Sequence, residues 1–123
     1  MDPDDIGELF AAFGPVVVRR MFGGAGIYAE GIMFALVADG VIYLKADEKN
    51  SAAFDREKLE PFTYSAKGKR TTMSYRRMPD RLYDDPAELA EWACAALAAA
   101  RGGQARAKPR PGKRSAGRSK QSR

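Results

Sequence analysis

Histidine is absent from this 123-residue chain, and cysteine occurs once. The first absence removes the usual general base of neutral-pH chemistry and the commonest metal ligand. A single Cys94 excludes an intramolecular disulfide and fits a reducing compartment. No apolar run approaches the roughly 20 residues of a membrane-spanning helix, and Met1-Asp2-Pro3-Asp4-Asp5 is acidic where a secretory signal is basic. These features predict a soluble cytoplasmic protein with no membrane partner. Acidic residues are missing from one place in particular. Residues 102–123 hold eight Lys or Arg and no Asp or Glu, which leaves 13 basic against 16 acidic groups in residues 1–101. The net charge of +5 therefore divides into a domain of −3 and a tail of +8. Attraction of the whole domain to phosphate is excluded, so nucleic-acid binding has to rest on the tail or on a local patch.

What is present divides the same way, into a domain at 1–101 and a basic tail at 102–123. Asp2-Pro3-Asp4-Asp5 opens a helix, with Asp2 as the cap and Pro3 at the first helical position, and Ile6, Leu9, Phe10 and Phe13 form its apolar stripe. Gly14-Pro15 ends it. From Val16 to Ala46 the apolar period is two, with turns at Gly23-Gly24, Glu30-Gly31 and Asp39-Gly40; Asp-Gly takes the positive φ angles of a two-residue hairpin turn. Asp47 is expected to cap a short helix, with Ala52, Ala53 and Phe54 inward and an end near Leu59. Strands at 62–65 and 72–77 follow, joined by the basic loop Ala66-Lys67-Gly68-Lys69-Arg70. Asp85-Pro86-Ala87-Glu88 has the spacing of a capping box, and the helix after it buries Leu89, Trp92, Ala93, Ala96 and Leu97. Gly102-Gly103 is expected to stop this helix. The tail beyond, without an aliphatic side chain larger than Ala, is expected to be disordered. The fold class is α+β: a two-layer arrangement of an antiparallel meander of five or six strands with N-terminal, middle and C-terminal helices.

Arg19-Arg20-Met21-Phe22-Gly23-Gly24-Ala25-Gly26-Ile27-Tyr28, followed by Met33-Phe34-Ala35, Tyr43-Leu44-Lys45-Ala46-Asp47, Met73-Ser74-Tyr75 and Met78-Pro79, resembles the N-terminal domain of the TfoX/Sxy competence regulators. The resemblance runs over about residues 6–100. It implies an antiparallel sheet packed with helices, which agrees with the reading from periodicity. It also implies a non-enzymatic regulatory or adaptor role exercised through a protein partner in transcriptional regulation. Competence-type members act as co-activators beside the cyclic-AMP receptor protein and carry a further helical domain, where this sequence has its basic tail.

Arg20 and Lys45 lie in the segments that carry the resemblance and are the candidate partner-binding residues. Strand alternation puts Arg19 and Arg20 on opposite faces, so one of them is expected near a covered face; an internal ion pair or a sheet-edge charge would account for them equally. Lys45 leaves its strand beside Asp47 and Glu48, which could pair with it. Lys67, Lys69, Arg70, Arg76 and Arg77, interleaved with Tyr64 and Tyr75, are the candidate nucleic-acid patch, since cations take phosphates and rings take bases. In the tail, Lys108, Arg110, Lys113, Arg114, Arg118 and Lys120 are the candidates for non-specific nucleic-acid contact. Gly23-Gly24-Ala25-Gly26 lacks the Lys-Ser/Thr and following helix of a phosphate loop and reads as a tight turn or bulge. Cys94, with no histidine to activate it, is expected to be buried and inert. No catalytic set, cofactor motif or metal-site spacing is present, so no cofactor or metal is expected.

Overall fold

A computed structural model describes residues 2–21 and 23–107. Helix α1 (Pro3–Leu9) is capped as expected, the Asp2 carboxylate accepting from the Asp5 amide at 2.9 Å. Four strands follow, β1 (Val17–Met21), β2 (Gly24–Ala29), β3 (Ile32–Ala38) and β4 (Val41–Lys45). Helix α2 (Ser51–Arg56), strands β5 (Pro61–Ala66) and β6 (Lys69–Arg77), a 3-10 turn (Asp80–Asp84) and helix α3 (Pro86–Ala107) complete the order. All six strands form one antiparallel sheet in the order β1-β2-β3-β4-β6-β5.

The turns explain the meander. Glu30-Gly31, Asp39-Gly40 and Lys67-Gly68 each have both residues at positive φ, near +53° and +76°, the backbone of a type I′ turn whose twist matches that of paired strands. The β2–β3 pairing shifts register after Ile27, so that Ile27 opposes Ala35, Tyr28 opposes Met33, and Phe34 is the extra residue. This bulge turns Phe34 into the helix layer, where its ring meets Phe10 at 5.6 Å and Phe13 at 5.1 Å. Ile27, Val37, Ile42 and Leu44 line the same face and pack against Ile6 and Phe10 of α1, Phe54 of α2, and Leu89, Ala93 and Ala96 of α3. Burying each large side chain here is worth roughly 1.5–3 kcal/mol, which makes this single layer the main source of stability. On the other face Leu36 is also buried, only 2% exposed.

Several local expectations are corrected. Helix α3 does not stop at Gly102-Gly103 but continues to Ala107; Gly103 lies against the Lys45 side chain, so packing offsets the roughly 1 kcal/mol by which each glycine disfavours a helix. The capping box is half made: the Asp85 carboxylate accepts from the Glu88 amide at 3.2 Å, but Glu88 turns its own carboxylate to Arg81 and to Trp92 Nε1. Asp47 caps the turn before α2, accepting from the Lys49 and Asn50 amides, and α2 itself begins at Ser51 and ends at Arg56. Ala52 faces solvent, and so does Cys94, because each falls outside its helix's buried stripe. The five-residue basic loop is in fact the two-residue turn Lys67-Gly68, with Lys69 and Arg70 already in β6. Tail residues Lys108, Arg110, Lys113, Arg114, Arg118 and Lys120 lie outside the described residues.

Candidate functional sites

The strand register separates Arg20 from Lys45. Arg20 opposes Ala25, which opposes Val37, which opposes Ile42, a row on the helix side near the Asp39-Gly40 turn. Lys45 opposes Tyr75 on the other face, at the opposite end of β4. The two candidate partner-binding residues therefore belong to two different surfaces. Both Arg19 and Arg20 are exposed, against the expectation that one would lie near a covered face: β1 is the sheet edge. Arg19 instead lies over the Tyr28 ring at 5.5 Å. Arg20 opens onto a cleft of about 850 Å³ between the start of α1 and the sheet, walled by Asp2, Asp5 and Asp39 over a floor that includes Val18 and Val37.

Lys45 donates to the Ser74 hydroxyl at 2.6 Å, and its ammonium lies 5.1 Å from the centre of the Tyr75 ring. Tyr75 is buried and donates to the Met33 carbonyl at 3.4 Å. Burial, with a smaller contribution from Tyr28, pushes its phenol up to about 12. A ring so enclosed presents no face for a base to stack on.

The candidate nucleic-acid patch divides into two parts. Arg76 points to the helix layer, where Nε and Nη2 donate to the Leu59 carbonyl at 2.9 and 2.7 Å, Nη2 reaches Asp55 at 2.8 Å, and the guanidinium lies over Phe54. Arg77 pairs with Glu60 and Asp80, both at 3.4 Å, and Asp80 above all raises its already high pKa. These two arginines join α2, the 3-10 turn and β6. Lys67, Lys69 and Arg70, by contrast, are exposed at the tip of the β5–β6 hairpin and have no ion-pair partner among the described residues. Tyr64, 44% exposed, stacks on Phe62 at 6.1 Å, and Phe62 packs on Tyr43 at 5.0 Å.

Sequence reasoning passed over Arg81, which bridges Glu57 and Glu88. Hydrogen bonds to the two carboxylates hold its pKa above the ordinary value, and Arg81, then Trp92, holds the Glu88 carboxyl below the usual range. Tyr83, its phenol raised mainly by burial, accepts from the Ile42 amide at 3.2 Å. Every shifted group is explained by burial or by an ion pair inside the fold, and none of them lines the cleft. Among the described residues no three His, Cys, Asp or Glu side chains converge as a metal site, and no helix is long and apolar enough to cross a membrane.

Comparison with known proteins agrees with this architecture. Residues 8–100 match the TfoX N-terminal domain family. The protein Sxy of Escherichia coli (strain K12) is 28% identical over 82 residues, 67% of this chain and 39% of that protein. The DNA transformation protein TfoX1 of Aliivibrio fischeri (strain ATCC 700601 / ES114) is 34% identical over 71 residues, 58% of this chain and 34% of that protein. The chain thus spans less than two fifths of the length of these relatives. With the match covering nearly the whole described domain, the chain belongs to the TfoX N-terminal domain family.

Proposed function

We propose that this chain is a non-enzymatic, cytoplasmic regulatory domain that binds another protein in transcriptional regulation. Family membership supports the regulatory role, since the competence-type members it resembles are regulators. The observation that carries the contact mode is the edge of β1. That strand is paired only with β2 among the described residues, its Val17 is 56% exposed, and Arg20 projects beside it over the cleft. An open strand edge offers main-chain hydrogen bonds to an incoming segment, and Arg20 with Asp2, Asp5 and Asp39 gives the cleft beside it charges of both signs for polar side chains of that segment. The test is affinity capture from the source cell with and without nuclease, using the chain and Arg20→Glu. Protein partners that survive nuclease and are lost from the variant support the reading; partners that all vanish with nuclease oppose it.

A second reading is nucleic-acid accessory binding through the basic tail and the hairpin cations. It is favoured by one observation, that Lys67, Lys69 and Arg70 stand exposed with no described acidic partner. Arg76 and Arg77, engaged inside the fold, are removed from it.

A further inference from the structure

The β5–β6 hairpin leaves the sheet. Strand β6 pairs with β4 through Tyr75, Arg76 and Arg77, with one further bond from the Ala46 amide to the Ser74 carbonyl, whereas the pairs Thr63–Thr72, Tyr64–Thr71, Ser65–Arg70 and Ala66–Lys69 have no third strand beside them among the described residues. Residues 61–75 contain Lys67, Lys69 and Arg70 and no Asp or Glu, within a domain whose other charges sum to −6. The cations are also distributed around the ribbon. Lys69 shares a face with Tyr64, Arg70 lies on the opposite face with Thr72, and Lys67 sits in the turn.

We propose that this ribbon is a duplex-DNA contact element, its tip entering the major groove with Lys67 and Lys69 on phosphates and Arg70 turned to the base edges. The inference deepens the second reading above and rests on it. Two strands about 4.8 Å apart form, with their side chains, a body roughly 10 Å across. A major groove about 12 Å wide and 8.5 Å deep admits a body of that width. The four unsupported pairs reach roughly 13 Å, more than the groove's depth. Cations on both faces suit a groove with phosphates on both walls, and Arg70 has the planar fork that reads guanine. A single strand is disfavoured because, of the ribbon's rings, Tyr64 alone is exposed: Tyr75 is buried and Phe62 lies between Tyr43 and Tyr64.

The experiment measures fluorescence anisotropy of a labelled 24-base-pair duplex with the full chain, across a salt series, for the parent and for Lys67→Ala/Lys69→Ala/Arg70→Ala. Loss of the two phosphate contacts should make the slope of log affinity against log salt shallower by about 2, and loss of all three cations should weaken low-salt binding at least about tenfold. Unchanged slope and affinity would overturn the ribbon while leaving the tail-borne reading standing; no binding by the parent would overturn both. A measurement on the parent alone covers the case of a variant that does not fold. Acetylation of Lys67 and Lys69, read by mass spectrometry, should be protected by the duplex. Equal protection by a 24-nucleotide single strand or by polyglutamate of matched charge would contradict groove binding.

Discussion

At the scale of single residues, what matters most is where a side chain would not fit or cannot be released. A Cβ on Gly24 would lie 2.0 Å from the Val37 carbonyl oxygen, whereas one on Gly31 meets nothing within 4 Å, its cost being only the positive φ of +77°. Gly24→Ala must move a strand and should cost about 3 kcal/mol; Gly31→Ala should cost about 1 to 2. Urea denaturation of both variants checks the order. Arg76→Ala strands the Leu59 carbonyl and uncovers Phe54, so a loss of about 2–3 kcal/mol is expected, and Arg77→Ala should lose distinctly less because its partners are exposed. Tyr75 supplies a pH dependence. Its phenol titrates at about 12 when folded against 10.0 for the ordinary group, so the folded chain binds that proton more tightly. The resulting stability is present below pH 10 and lost as pH rises toward 12. Absorbance at 295 nm should show a late tyrosinate step that Tyr75→Phe removes. None of these partnerships was legible in the sequence. Arg76 and Leu59 are 17 residues apart, and nothing local in either reveals the other.

Elements were far more legible, because their signals are local. The Asp2 cap, the period-two runs and the Asp39-Gly40 turn each act within a few residues, and each is where the sequence puts it. Two of the errors come from contacts that override the local preference. Gly102-Gly103 reads as a helix stop, yet α3 passes through it with Gly103 set against Lys45. A Cβ there would lie 3.7 Å from Lys45 Cε, ordinary contact. Gly103→Ala should therefore stabilise the chain by about 0.5–1 kcal/mol and raise helicity at 222 nm, whereas a helix ending at Arg101 would gain neither. Glu88 has capping-box spacing but is drawn away by Trp92, one turn on in the same helix, and by Arg81 of the 3-10 turn, which the fold brings near. The basic loop was recognised as basic but not as a ribbon, because Lys69 and Arg70 carry no local mark of strand over turn.

At the scale of the molecule, charge and cover are both unevenly placed. Helices cover one face of the sheet, and three cations project on a ribbon from a domain that is otherwise acidic. Residues chosen together from sequence similarity turn out to be apart: Arg20 on the helix side at an open edge, Lys45 on the other face beside Tyr75. The two lie on opposite faces, and the protein contact proposed above falls on the Arg20 side. The direct test is quantitative capture of nuclease-resistant protein partners by the full chain and by Arg20→Glu and Lys45→Glu, each first shown to fold by circular dichroism. Arg20→Glu should lower capture at least about tenfold, equivalent to about 1.4 kcal/mol, while Lys45→Glu should capture as the parent does. Undiminished capture by folded Arg20→Glu would contradict it.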